Sequence, residues 1–231
     1  MRLLNSLLLL ALSATLINCK KDKDEPDPVS HTHNFQPGND GQDTYVSKID
    51  NEPTDGNVNL DWVNELVMGR WKANANPNNF TARSYIKFTG LSTIPANATI
   101  NSATLYLYGK TSSLAFPNGN SSYPGSLNAE NSSYIQRVIG GNWDESTLTW
   151  NTMPAATTTG QAMIGPSSTQ WGYGTVVDVT EMVKEMVAQP STNYGFMIRL
   201  VNETPSRSLV FATSENADPN LRPKLLVQAT Y

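Results

Sequence analysis

Arg83, Tyr85 and Lys87 alternate along Arg83-Ser84-Tyr85-Ile86-Lys87-Phe88, so an extended chain puts all three on one face and Ser84, Ile86 and Phe88 on the other. Tyr106 and Tyr108 alternate in the same way with Leu105 and Leu107. If the two stretches lie in one sheet, the cations and tyrosines form one basic and aromatic surface. Guanidinium and ammonium groups suit carboxylates, and aromatic rings stack on sugar faces. The competing reading places the tyrosines over the core of a second sheet and leaves Arg83 and Lys87 as an edge cap. Arg199 alternates with the apolar Met197 and Val201, which leaves its direction open. Trp62, Arg70, Trp71 and Lys72 form a second candidate, in what reads as a loop-rich stretch.

Other chemistry is limited by inventory. Asp144 and Glu145 are adjacent, so on an extended chain they point to opposite faces and cannot flank one bond. They read as turn and hydrogen-bonding residues around Trp143 and Trp150. The chain has one cysteine and two histidines, which excludes an intrachain disulfide, a cysteine-rich zinc site and a Ser-His or Cys-His mechanism in the body of the protein. His31 and His33 fall in a segment that reads as flexible and offers no further ligand, so no metal is expected there. Asn39-Asp40-Gly41-Gln42-Asp43 has the oxygen ligands and tight-turn glycine of a calcium loop but lacks its remaining acids. No cofactor is therefore expected, with a structural calcium as the alternative.

These residues need a scaffold, and the composition describes it. Hydrophobic residues make up 39% of the 231, enough for a core, while charged residues are only 16%. Asn, Ser and Thr carry the remaining polarity. A formal charge of −4 argues against a nucleic-acid partner held by phosphate attraction. Residues 1–18, with Arg2 followed by an apolar run from Leu7 to Leu12, read as a signal peptide too short to span a bilayer. They resemble a lipoprotein signal in which Cys19 becomes the acylated first mature residue, with Asn18 where a small residue is usual. Residues 19–34 read as a charged, solvated tether, Lys20 to Pro28 carrying no apolar side chain beyond proline.

Residues 35–231 read as one all-β domain. Alternating segments at 44–46, 83–88, 104–108, 134–139, 194–201, 209–211 and 225–227 are separated by turn formers, as in an antiparallel β-sandwich. One segment differs. Met182, Val183, Met186 and Val187 share one helical face, which predicts a short amphipathic helix near 180–189 with Thr180 as its N-cap and Asp178 fixing its entry.

Several blocks in order carry a resemblance. They are Asp43-Thr44-Tyr45-Val46, Arg83 to Phe88, Ile94-Pro95-Ala96-Asn97-Ala98-Thr99-Ile100, Ser102 to Tyr108, Trp143 to Asn151 with Pro154, Asp178-Val179-Thr180, Asn193-Tyr194-Gly195-Phe196 and Arg222-Pro223-Lys224-Leu225. The series resembles the DNRLRE domain, a disaggregatase-related module similar to alginate-binding carbohydrate-binding modules of family ninety-six. Phe88-Thr89-Gly90-Leu91-Ser92 departs from the usual Phe-Asp-Leu-Ser. The resemblance implies a jelly-roll-like sandwich attached to surface glycan enzymes or surface proteins. With the signal, it implies a palmitate-bearing outer-membrane lipoprotein, exposed on the cell surface, that captures polysaccharide; the residue types of the Arg83, Tyr85, Lys87, Tyr106 and Tyr108 face fit an acidic one such as alginate. Neighbouring glycan enzymes or a transporter would be its partners. A structural or adhesive surface protein is the alternative, and a polysaccharide lyase a more distant one. Metabolic labelling with an alkyne palmitate should tag the wild-type protein and fail on Cys19→Ser; a tag that survives the substitution removes the anchor.

Overall fold

The computed structural model describes residues 27–52, 54–72, 78–110, 118 and 130–231; Cys19 and the signal segment lie outside them. Among the described residues, eleven strands and one α-helix follow one another as β1 (Ser30–Phe35), β2 (Gln42–Ile49), β3 (Glu65–Lys72), β4 (Asn79–Lys87), β5 (Thr99–Leu107), β6 (Ser133–Val138), β7 (Ala156–Ile164), β8 (Thr175–Asp178), α1 (Thr180–Ala188), β9 (Phe196–Leu200), β10 (Arg207–Ala212) and β11 (Lys224–Thr230). All pairings are antiparallel. The first sheet has the order β1-β11-β5-β8, and the second runs β10-β3-β4-β9-β6-β7 with β2 paired to β4. The molecule is a β-sandwich with one helix.

The alternation expected from sequence builds the core. Leu105, Leu107, Leu225 and Val227 of the first sheet meet Leu66, Met68, Ile86, Ile135, Phe196, Ile198, Leu209 and Phe211 of the second. Each fully buried side chain of this size contributes about 1.5–3 kcal/mol. Met182, Val183, Met186 and Val187 of α1 join the same core, as their spacing predicts.

The entry to α1 differs in one detail from expectation. Thr180 is the first helical residue rather than the cap, and Asp178 accepts from the Thr180 amide at 2.8 Å and its hydroxyl at 2.6 Å. These bonds hold the Asp178 carboxyl below its ordinary range. Thr180 Oγ1 in turn accepts from the Ala103 amide at 2.9 Å and ties the helix to β5.

Two smaller clusters lie beside this core, the second of them on the outer side of β4. Val67, Val210 and Tyr45 form one with Leu60, Val63 and Ala82. Tyr85, Val46, Val138 and Met197 form another, beneath Trp143 and Leu148. Gly195 places β9 against β4: its φ is +76°, and a Cβ there would lie 2.2 Å from the Ile86 carbonyl oxygen, so only glycine fits.

Two expectations need correction. The fold begins at Ser30 rather than at residue 35, because β1 pairs with β11 from Ser30↔Thr230 to Phe35↔Leu225. Backbone pairing outweighs the polarity of Ser-His-Thr-His-Asn, so residues 30–34 are strand and not tether. Arg70, Trp71 and Lys72 likewise end β3 rather than sitting in a loop, and about 17 Å of strand, from Glu65 to Arg70, lies between them and the turn that carries Trp62.

Carboxylates also tie segments together around β2 of the second sheet. Asp43 is buried and accepts from the Ser214 amide at 3.0 Å, while Glu145 accepts from the Asp43 amide at 3.1 Å. Burial, then the charge of Glu215, raises the Asp43 pKa well above the usual range; the same two causes push Glu145 up to about 7. The folded state therefore holds more protons than the unfolded one between about pH 4.5 and 7. Stability from this group is complete below that window and is lost as pH rises through it. Glu145 is partly solvated and screened, so the effect is about 1 kcal/mol, or 2–4 °C in Tm between pH 5 and 8. Glu145→Gln should flatten that slope in thermal melts; an unchanged slope would contradict the assignment. Asp178→Ala should cost about 1 kcal/mol by loss of the helix-entry bonds, read from the denaturant midpoint.

Candidate glycan-binding face

The expected composite face does not form. Arg83, Tyr85 and Lys87 lie on β4 of the second sheet, whereas Tyr106 lies on β5 of the first and Tyr108 follows just beyond it. The sheets pack through Ile86, Leu105 and Leu107, so the outward sides of β4 and β5 face away from each other. Tyr106 instead sits under the Lys224 ammonium, 4.2 Å from its ring centre.

Tyr85 and Lys87 are engaged internally. The Tyr85 hydroxyl donates to the Pro154 carbonyl at 3.0 Å, and its ring meets Trp143 edge-on at 5.7 Å. Lys87 Nζ donates to the Trp143 carbonyl at 2.7 Å and to Asn142 Oδ1 at 3.1 Å, 4.7 Å from the Trp143 ring centre. Burial lowers its pKa. These two residues therefore hold the 142–154 segment on the sheet.

Arg83 points the same way but beyond that covering. Its Nε and Nη2 each donate to Glu203 at 2.8 Å, and its guanidinium lies 4.9 Å from the Trp150 ring centre. Lys48 lies 5.1 Å from the same ring. An open cleft of about 490 Å³, lined by Lys48, Asp50, Asn51, Glu52, Gly56 and Asn151, continues from there.

The face extends across β9, β6 and β7. Register places Tyr134 opposite both Arg199 and Met163, and Gln136 opposite Met197. Ser84 pairs with Ile198, so one step further Arg83 stands level with Arg199. Arg199 lies over the Tyr134 ring at 5.6 Å and reaches Gln136 Oε1 at 3.4 Å; Gln136 Nε2 donates to Gln161 Oε1 at 2.7 Å. Arg199 has no carboxylate partner among the described residues. Met163 beside it is 61% exposed. Gln136 itself is buried and serves to orient the guanidinium, which also donates to the Leu200 carbonyl at 3.2 Å. The partly exposed Arg199, Tyr134 and Gln161 match the needs of a sugar carrying carboxylates.

Arg83 is thus the one expected residue that belongs to this face. Arg199, Tyr134, Gln136, Gln161, Lys48 and Trp150 were not singled out as ligands. Tyr134 and Gln136 were within reach, since they share parity in a segment already read as a strand. The second candidate is split: Trp62 is 71% exposed in a turn, and Arg70 is paired with Asp50. In the 39–43 loop, Asp40 accepts from the Gly38 amide and Asp43 from Ser214, and no group of three or more His, Cys, Asp or Glu among the described residues is arranged for a metal.

A search of curated proteins returns no match. The family profile of carbohydrate-binding module family 96 matches residues 35–229, nearly the whole folded region, and the chain therefore belongs to that family of carbohydrate-binding modules.

Proposed function

We propose that this protein captures an acidic, alginate-like polysaccharide on the outer face of its second sheet, held at the outer membrane surface by acyl chains on Cys19. Family membership supports carbohydrate binding. The observation that carries the acidic preference is Arg199, a guanidinium without a carboxylate partner, stacked on Tyr134 and flanked by Gln136 and Gln161. Arg83 and Lys48 at Trp150 lengthen the same track toward the open cleft. The series of blocks supports a DNRLRE-type surface module, delivering polymer to neighbouring glycan enzymes or a transporter without turning it over itself.

The binding is local. With a net charge of −4, the chain attracts a polyanion only where its cations cluster. Such contacts are exposed and screened beyond about 8 Å at physiological ionic strength, so affinity weakens as salt rises.

Affinity electrophoresis and calorimetry with alginate test this reading. Arg199→Ala should weaken binding about tenfold, the value of one charge-assisted contact of about 1.4 kcal/mol, with Tm nearly unchanged. Tyr134→Ala should weaken it comparably, while Tyr106→Ala on the other sheet should leave it unchanged. Absence of retardation by any acidic polysaccharide would favour the adhesive surface protein instead. Reproducible release of unsaturated ends, abolished by a point substitution, would make it a lyase.

A further inference from the structure

His31 and His33 stand two residues apart on β1, opposite Ala229 and Val227, so both rings project from one face of the edge strand. Tyr231 lies on the same face. Reciprocal backbone bonds between Val29 and Tyr231, at 3.0 and 3.1 Å, fix the end of the chain beside β1. The Tyr231 ring stacks on His31 with centroids 4.2 Å apart and planes at 13°, and its hydroxyl lies 3.3 Å from His33 Nε2. The two imidazole centroids are 6.4 Å apart. All three side chains are at least partly exposed, and the His31 ring nitrogens have no hydrogen-bond partner among the described residues.

We propose that His31, His33 and Tyr231 form a binding site for a divalent transition metal, of the Zn²⁺ or Cu²⁺ class. Imidazole suits both ions, with metal–nitrogen distances of about 2.0–2.1 Å and metal–oxygen distances of about 2.0–2.2 Å. Two such ligands on a tetrahedral ion stand about 3.3–3.4 Å apart. His33 Nε2 and Tyr231 Oη are already at that separation. Two imidazoles on one tetrahedral ion have centroids about 5 Å apart by the same arithmetic, so the rings, at 6.4 Å, must close by about 1 Å on binding. The His31 ring must turn off Tyr231 to bring a nitrogen to the ion. The phenolic proton leaves to solvent as oxygen binds, so affinity rises with pH. Water fills the fourth position.

Strand pairing is what makes the site, because it holds the two histidines at a strand spacing and brings in a ligand from almost 200 residues away. The ion would pin β1, the first strand of the sandwich, to the chain end. This site shares no residue with the glycan face, so either reading can fail without the other.

Calorimetry on the untagged chain with ZnCl₂ should reveal one saturable site, with CuSO₄ binding more tightly, as the Irving–Williams order requires. His31→Ala and His33→Ala should each weaken it at least about tenfold, and Tyr231→Phe about threefold or more. Thr32→Ala, on the opposite face of β1, should leave it unchanged. Imidazole resonances of both histidines should shift on addition of ZnCl₂ to the wild-type protein, a readout that needs no variant to fold. Lack of a saturable site below about 1 mM, or a site that survives both histidine substitutions, overturns the proposal. An affinity unchanged in Tyr231→Phe overturns the three-ligand site.

Discussion

The Lys87 ammonium, fixed between the Trp143 carbonyl, the Asn142 side chain and the Trp143 ring, is the constraint on which the outer side of the second sheet depends. A buried cation is costly unless its donors are satisfied, and these contacts supply partners only if the 142–154 segment lies on β4. Tyr85 binds the far end of that segment through Pro154, and Trp143 Nε1 donates to the Tyr194 carbonyl at 2.7 Å just ahead of β9. The segment is thereby held to two neighbouring strands. Trp150, carried on it, comes to rest against Arg83 and Lys48. The accessible face starts where that covering stops, and Arg199 and Tyr134 lie beyond it.

Fold class was legible in the sequence because the inward residues of β4, β5, β9 and β11 alternate cleanly. The strands that were missed show why alternation is incomplete as a signal. Leu66-Val67-Met68 in β3 is buried on both sides, with Leu66 and Met68 in the main core and Val67 in a separate cluster, so it reads as a continuous apolar run. β1, β7 and β8 occupy sheet edges, where one neighbour is absent and polar residues are tolerated. Ser-His-Thr-His-Asn gives no local hint of its partner, because β11 lies at the other end of the chain.

The side of β4 on which the candidate residues lie was legible, but not what surrounds them. Alternation correctly put Arg83, Tyr85 and Lys87 on one side of a strand. It carried no information on which sheet β5 would join, and Tyr106 went to the other one. Nor could it show that the Trp143 segment would cover Tyr85 and Lys87 while sparing Arg83. Arg199 was ambiguous because its parity neighbour Met197 is apolar; Met197 is buried outward, under the same segment, and not in the main core. An apolar neighbour therefore marked a covered surface rather than the inside of the sandwich.

The two arginines of the face are prepared differently, and the difference bears on selectivity. Arg83 is committed to Glu203 in a two-point pair, both side chains 23% exposed. A ligand carboxylate gains little there unless it shares or displaces Glu203, so Arg83 rewards a polymer only after other contacts hold it in place. Arg199 has no such competitor, and its orientation is set by Tyr134 and Gln136 rather than by an opposing charge. An incoming carboxylate meets it without first breaking an ion pair. The aromatic ring beneath lowers the entropy cost of that encounter by fixing the guanidinium in advance. In the proposed role, Arg199 makes first contact, and Arg83, level with it one strand away, selects for a ligand that can compete with Glu203.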